Sequence, residues 1–310
     1  MIITVTMNPC IDRMVTVEKF TYGGMNRIIE SREDASGKGI NVAIACKQLG
    51  GEAVATGINY TGKGRMIRNR LDGLGIPHDF VEVSGDVRVN LKIFDASMGV
   101  VTEVNEPGHP VDPAALEALK SKLKALCEKG DMIVFSGSVP KGVSAAVYLE
   151  LMSAVTGHAR LVLDAEGELL TEGLKARPFM IKPNLYELEK ALGREFKDQR
   201  DIVAGARKFI DAGVSIVGVS MGDKGAVLVD SREAYYSPAL PVKVRSTVGA
   251  GDSMVAAFCL ACEAGAGLEE MLRMGSAAAA ATVISDGTQL CSRNGFDFLL
   301  PQAAVAAISI

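Results

Sequence analysis

Short, almost uninterrupted apolar runs recur along this chain, each followed by a stretch with helical periodicity. No other feature limits the fold as much. Runs at 2–6, 53–57, 132–136, 160–163, 179–181 and 215–220 read as strands buried on both faces, which is the pattern of a parallel sheet covered by helices. Helical periods fall between them at 40–49, 62–74, 198–212 and 249–264. Another follows Asp112-Pro113, a cap with proline at the first helical position, where Leu116, Leu119, Leu123 and Leu126 form one stripe. The alternation predicts a three-layer α/β/α fold, doubly wound around a mostly parallel sheet, with ligands beyond the carboxyl ends of the strands. At 310 residues, the whole span 1–310 fits one large domain.

Two segments break the rhythm. Residues 14–33 and 87–104 show alternation of period two with no helix between the runs. In the second, Val87, Val89, Leu91 and Ile93 alternate with Arg88, Asn90 and Lys92, so one face is apolar and the other carries donors. Together they predict a small separate sheet, formed by roughly 13–34 and 87–106, acting as a lid over the site. The plainer alternative is two antiparallel strands added to the edge of the main sheet. Exposed lid edges of this kind often pair between subunits, which points to a homodimer joined through the lid.

Composition excludes several functions. The formal net charge of −4 provides no basic face for duplex nucleic acid, and the absence of Trp removes the best stacking platform for single strands. The opening Met1-Ile2-Ile3-Thr4-Val5-Thr6 has no basic segment of the signal-peptide type, and the apolar stretch from Met254 to Cys262 is too short to cross a bilayer. The expected location is therefore cytoplasmic, with no membrane partner. Cys259 and Cys262 form a CxxC, but inside an apolar helical stretch. With only His78, His109 and His158 elsewhere, they read as two small buried residues and not as a zinc site.

The sharpest motif is Ser246-Thr247-Val248-Gly249-Ala250-Gly251-Asp252-Ser253, which runs straight into an apolar helix. Gly249, Ala250 and Gly251 at a helix start let backbone N–H groups approach an anion, and the helix dipole favours negative charge there. Asp252 at the mouth is placed to take a proton from an attacking hydroxyl. Asp252 or Ser253 as a plain N-cap explains the same residues less specifically. A second glycine-rich helix start, Ser36-Gly37-Lys38-Gly39-Ile40-Asn41, offers a point charge from Lys38 and a two-way hydrogen bonder in Asn41.

Weaker signals sit at other strand ends. Gly57, Gly62 and Lys63 imitate the start of a P-loop, but Gly64 stands where the Mg²⁺-binding hydroxyl belongs, so an ordinary βα turn is expected. Asn184-Leu185-Tyr186-Glu187 reads as a capping box, and equally as a carboxylate near a hydrated Mg²⁺. Ser220-Met221-Gly222-Asp223-Lys224-Gly225 fits either a nucleotide-hugging turn or a simple hairpin turn. Asp12, after Asn8-Pro9, and the hydroxyls of Ser136 and Ser138 could meet sugar hydroxyls or merely shape turns. No GxGxxG with a downstream acid follows the first strand, which argues against a dinucleotide oxidoreductase.

In this order, the motifs resemble the PfkB family of carbohydrate kinases, with its ribokinase-like fold. The likeness runs from Asn8-Pro9 to the helix after Asp252, and pairs Gly37-Lys38-Gly39-Ile40-Asn41-Val42 with Thr247-Val248-Gly249-Ala250-Gly251-Asp252. Thr4-Val5-Thr6-Met7-Asn8-Pro9, Arg88-Val89-Asn90-Leu91-Lys92, Ser136-Gly137-Ser138-Val139-Pro140 and Lys182-Pro183-Asn184 look most like the branch acting on ketohexose phosphates. The resemblance implies a cytoplasmic transferase that phosphorylates D-fructose 1-phosphate to fructose 1,6-bisphosphate with ATP and Mg²⁺. Tagatose 6-phosphate is the alternative acceptor, and a non-catalytic sugar or nucleotide sensor on the same fold is the rival of another class.

By matching position, the resemblance makes Asp252 the proton acceptor and Gly249, Ala250 and Gly251 its anion hole. Asp12, Gly37, Lys38, Asn41 and Asn90 fall on sugar-binding positions, with Arg88, Lys38 and Ser138 holding the substrate's own phosphate. Lys182, Asn184, Ser220, Met221, Gly222, Asp223, Lys224 and Gly225 join Gly251 and Asp252 along ATP, and Glu187 falls on the Mg²⁺ motif. Two positions depart from the family pattern: Ser36 replaces one of a usual glycine pair, and Glu166 puts a carboxylate where a hydroxyl is common.

Overall fold

The computed structural model describes residues 1–285 and 287–309. The first apolar run forms β1 (Ile2–Thr6), wholly buried at the centre of the main sheet. The chain then leaves for β2 (Cys10–Val17) and β3 (Ile28–Ser36) before returning through α1 (Lys38–Gln48) to β4 (Ala53–Tyr60), α2 (Gly64–Gly73) and β5 (His78–Val83). A second excursion makes β6 (Arg88–Asp95) and β7 (Val100–Asn105), and α3 (Pro113–Leu126) leads back to β8 (Met132–Ser136). The order continues α4 (Val147–Ser153), β9 (Arg160–Asp164), α5 (Gly167–Leu174), β10 (Met180–Ile181), α6 (Leu185–Leu192), α7 (Gln199–Asp211) and β11 (Ile216–Ser220). It ends β12 (Ala226–Val229), β13 (Ala234–Ser237), α8 (Ala250–Glu263), α9 (Leu268–Val283), α10 (Arg293–Leu299) and β14 (Ala306–Ala307).

The main sheet runs β14-β13-β12-β11-β10-β9-β8-β1-β4-β5. From β5 to β11 every pairing is parallel, and β12, β13 and β14 add an antiparallel edge. The expected doubly wound sheet is therefore present, with the order reversing at β1. There the chain first builds outward to β4 and β5, and later to the other side through β8. Register aligns Thr6, Ser136 and Asp164 side by side at the carboxyl ends of three neighbouring strands, with Gly57 of β4 level with them. Whatever sits on that row lies on the floor of the crevice.

The two interrupting segments form a separate four-stranded sheet, β3-β2-β6-β7. It is not a pair of strands on the main sheet's edge. It is mixed, because β2 and β6 run parallel in register, Cys10 opposite Arg88 and Asp12 opposite Asn90. One of its faces buries polar side chains, although Val15 and Val17 on the other face are buried too. Asp12, Asn90 and Lys92 are buried, while Arg13, Ile28 and Ile29 on its strands are exposed. A sheet that buries its polar side must face something polar.

Side-chain caps close some helix starts and leave others, α2, α4, α5 and α9 among them, without one. α3, α6, α7 and α10 close their first turns with the side chains of Asp112, Asn184, Asp198 and Ser292. α1 begins behind Gly37, and α8, near the other end of the chain, begins behind Gly249; neither has a side-chain cap. At α8 the Ala250 N–H makes a long 3.4 Å hydrogen bond to the Thr247 carbonyl; first-turn N–H groups, which have no partner within a helix, are the ones a ligand can take.

Candidate active site

α1 and α8 pack against each other, and this brings the two glycine-rich motifs together across more than two hundred residues of sequence. Gly249 adopts a left-handed φ of 78°, and a Cβ there would collide with Leu290 Cδ2, so only glycine fits this turn. Gly39 lies so close to β1 that a Cβ would meet Thr6 Oγ1 at 2.6 Å, which lets α1 start directly over the strand end.

Asp252 sits in the first turn of α8 and is 4% exposed. Its Oδ2 accepts a hydrogen bond from Asn41 Nδ2 at 2.8 Å, and its Oδ1 lies 3.2 Å from Lys38 Nζ. Lys38 also donates to Asp164 Oδ2 at 2.9 Å, and the other oxygen of Asp164 is 3.3 Å from Lys182 Nζ. Burial works against the Lys38 ammonium, but Asp164 and Asp252 outweigh it and hold its pKa well above the ordinary lysine value. Burial likewise opposes ionisation of Asp164, and Lys182 and Lys38 overcome it, taking its pKa down to about 2. Lys38 is still 43% exposed at its side chain, so it lines an open cleft and can turn toward a ligand.

On the small sheet, Asn90 donates to Asp12 Oδ1 at 3.1 Å, and Lys92 lies 3.9 Å from the other oxygen. Arg88 is held by the carbonyls of Asn8 and Glu106 and by Asn90 Oδ1. Asn8 in turn donates to Ser138 Oγ at 3.1 Å. Contacts thus run without a break from Asp12 through Asn90, Arg88 and Asn8 to Ser138. Gly137 beside it lies against the Lys38 side chain. Cys10 is next to this cluster, but burial, with Asp12 adding to it, pushes its thiol up to about 12, so it stays protonated.

A cavity of about 700 Å³ opens on the other side of Gly251. Its far end is apolar, lined by Leu240, Val242, Ala279 and Val283, and its near end holds Asn184, Thr247 and Gly251. Ser220, Gly222, Asp223 and Gly225 line it through the turn between β11 and β12, so hairpin turn and cavity wall are the same residues. Met221 and Lys224, expected alongside them, are not in the lining: Met221 packs into the core and Lys224 points to solvent. Lys182 is 4% exposed, and a Cβ at Gly251 would lie 3.3 Å from its Nζ, which places the ammonium under the α8 turn.

The capping box of α6 is complete, with Glu187 Oε2 accepting from Asn184 N and Asn184 Oδ1 from Glu187 N. Burial raises the pKa of Glu187 despite that hydrogen bond. One carboxylate oxygen is thus committed locally, which fits a residue that holds a hydrated cation and not one that ligates it from all sides. The P-loop imitation is an ordinary turn: Lys63 is exposed and its amide is taken by Asp86 Oδ1 at 2.5 Å. Among the described residues no group of His, Cys, Asp and Glu forms a metal cage, and the six cysteines are free. Sequence reasoning missed Asp164, Asn8 and Lys92 as members of the site. Asp164 had one legible signal, a lone carboxylate ending the apolar strand Arg160–Asp164.

An open helix start beside a buried carboxylate and two ammonium groups is the equipment of a phosphoryl-transfer enzyme. The model of the pfkB family carbohydrate kinases matches residues 5–294, and the chain belongs to that family. It is 39% identical over 280 residues to the 1-phosphofructokinase of Rhodobacter capsulatus, covering 89% of this chain and 88% of that one. It is 32% identical over 309 residues to the 1-phosphofructokinase of Borreliella burgdorferi, covering 99% of both. Phosphofructokinase-2 of Escherichia coli, solved with substrates and products, superposes with a TM-score of 0.92 at 32% identity over 97% of this chain and 98% of that one. The same protein has been solved in a tetrameric inhibited form, TM-score 0.90. The expected ribokinase-like fold and the kinase class both stand, and the enzyme is a phosphotransferase with an alcohol as acceptor.

Proposed function

We propose that this kinase transfers the γ-phosphoryl of ATP to D-fructose 1-phosphate, giving fructose 1,6-bisphosphate, with Asp252 as the base. The observation that carries the reading is the junction of Asp252 with Lys38 and Asn41 at the mouth of an uncapped helix, next to the Gly251 end of the apolar-ended cavity. Arg88, supported by Asn8 and next to Ser138, suits the phosphate already on the sugar, and Asp12 and Asn90 suit its hydroxyls. The cavity suits a nucleotide, with its base against Leu240 and Val242 and its phosphates at Gly251.

In this arrangement Asp252 takes the acceptor hydroxyl's proton as the oxygen attacks in line. The first N–H groups of α8 receive the oxygens of the transferring group, where charge builds, and Lys38 and Lys182 flank them. Glu187 and Asn184 would hold the waters of a bound magnesium ion, whose chemistry would be to neutralise phosphate charge. The small sheet acts as a lid. Its buried polar face closes over the sugar and keeps water from the base, because hydrolysis is the competing reaction.

The outer face of that lid supports a homodimer. Tyr22, Met25, Ile28 and Ile29 are 52% to 96% exposed. Next to them a concavity of about 420 Å³ is lined by Val15, Val17, Phe20, Leu91 and Ile93. Projections beside a hollow of matching character suit a second copy of the same chain related by a two-fold axis. The expected cytoplasmic location agrees with six free thiols. Among the described residues no helix is long and apolar enough to cross a membrane.

A panel of ketohexose phosphates with MgATP and coupled detection of ADP tests the reading. Fructose 1-phosphate should give the highest kcat/KM. Preference for tagatose 6-phosphate or fructose 6-phosphate would replace the acceptor, and binding without ADP release would replace the enzyme by a sensor.

A further inference from the structure

Asp164 is 3% exposed and lies on the crevice floor, in register with Ser136 and Thr6. It is shared by two cations: Lys38 at 2.9 Å on Oδ2 and Lys182 at 3.3 Å on Oδ1. Lys38 divides itself between Asp164 and Asp252, and the Asp164 contact is the shorter, 2.9 Å against 3.2 Å. Two ammonium groups and two carboxylates therefore form one chain, Lys182–Asp164–Lys38–Asp252, whose formal charges cancel.

The consequence for the base is direct. An ammonium paired with Asp252 alone would settle onto the carboxylate and occupy the oxygen that must receive a proton. From these distances we infer that Asp164 is a positioning residue: it shares Lys38 with Asp252 and anchors Lys182 beneath the α8 turn, which loosens the ammonium's hold on the base and keeps both cations beside the phosphoryl site. This rests on the reading of Asp252 as base and names what keeps it competent. Asp164 itself lies beneath its lysines, so it acts through them and touches no reacting atom.

A double-mutant cycle on kcat tests the assignment. Asp164→Asn should lower kcat by about 10- to 100-fold while the KM for the sugar phosphate stays within about threefold, the signature of a lost transition-state interaction. Lys38→Met should also lower kcat, and Asp164→Asn added to it should cost less than about threefold more, because the two residues act as a unit. Multiplicative losses in the double variant would overturn the inference, as would an Asp164→Asn enzyme within threefold of wild-type kcat.

Asp164→Asn leaves Lys182 buried without a counter-charge, so Asp164→Glu is made in parallel. It keeps the charge, shifts the carboxylate by one methylene, and should still cost about fivefold in kcat with KM unchanged. Wild-type kcat in the Glu variant would show that charge alone suffices and refute positioning. Asp252→Asn serves as the separate control. If that variant keeps turnover, the reading of the base fails; if it loses turnover while the cycle is additive, only the role of Asp164 fails.

Discussion

Replacing Asp252 with Asn removes the proton acceptor and very little else. The carboxylate now receives Asn41 Nδ2 on Oδ2 at 2.8 Å and Lys38 Nζ on Oδ1 at 3.2 Å. An amide of the same shape keeps one acceptor and must turn its NH₂ toward one of these donors, so one hydrogen bond is lost. Lys38 retains Asp164 at 2.9 Å, so no cation is orphaned. The stability cost should be about 1 kcal/mol, the net worth of one hydrogen bond. Turnover should suffer far more. General-base catalysis contributes about 10²- to 10⁴-fold, which corresponds to about 2.7–5.5 kcal/mol on the barrier. Binding of the sugar phosphate should hold, because Arg88, Asn90 and Asp12 lie on the other sheet and are untouched. Coupled ADP release gives kcat, and calorimetric titration with fructose 1-phosphate gives affinity. Turnover within about tenfold of wild type would refute the role of Asp252. Loss of sugar binding in parallel with turnover would refute the separation of binding from proton transfer.

Lys63→Ala should leave kcat within about twofold, as expected for an exposed side chain remote from the chemistry; a large loss would revive the P-loop reading of that turn. Glu187→Gln should raise the Mg²⁺ concentration for half-maximal activity by about tenfold, measured by metal titration at fixed ATP, since groups that orient a metal's ligands typically carry that much. Ile29→Asp on the lid's outer face should shift the chain toward monomer in sedimentation velocity, and an unchanged oligomer would place the contact elsewhere. The pH dependence follows from Asp164. Its folded pKa is depressed to about 2, so its pairs stabilise the fold above the ordinary carboxylate range and lose that contribution as the pH falls toward 2. Asp164→Asn should therefore cost stability in urea unfolding at pH 7 and about half as much at pH 3; an equal cost at both would mean that Asp164 supports the fold by shape and not by charge.

The parallel core was legible because residues such as Ile133, Val134 and Phe135 are buried on both faces, and continuous apolar runs have no other comfortable home. The Gly249–Asp252 helix start was legible because its backbone demands are local. The antiparallel edge was harder. In β13, Ala234–Ser237, two tyrosines of intermediate exposure give no clean period, and β14 is two exposed alanines paired only by tertiary placement. β5 at the opposite edge, with Phe80 buried among more open neighbours, was missed for a similar reason. Met221 shows the limit of a motif: its neighbours line the cavity, but the strand end turns its own side chain into the core. The partners of Asp164 could not be read either. Lys38 lies 126 residues before it at the start of α1, and only the packing of that helix start over the strand ends brings them to 2.9 Å.

The small sheet is assembled from two detours, one between β1 and α1 and the other between β5 and α3. It is therefore tied to the body by a few short chain crossings and shares no strand with it. Asp12, Arg88 and Asn90, proposed to touch the sugar phosphate, ride on these detours, whereas Asp252, Lys182 and the α8 turn are rooted in the framework. Selection can thus reshape one without dislodging the other. A new acceptor needs altered side chains on a panel, while the machinery that handles the phosphoryl group stays bolted to the chassis.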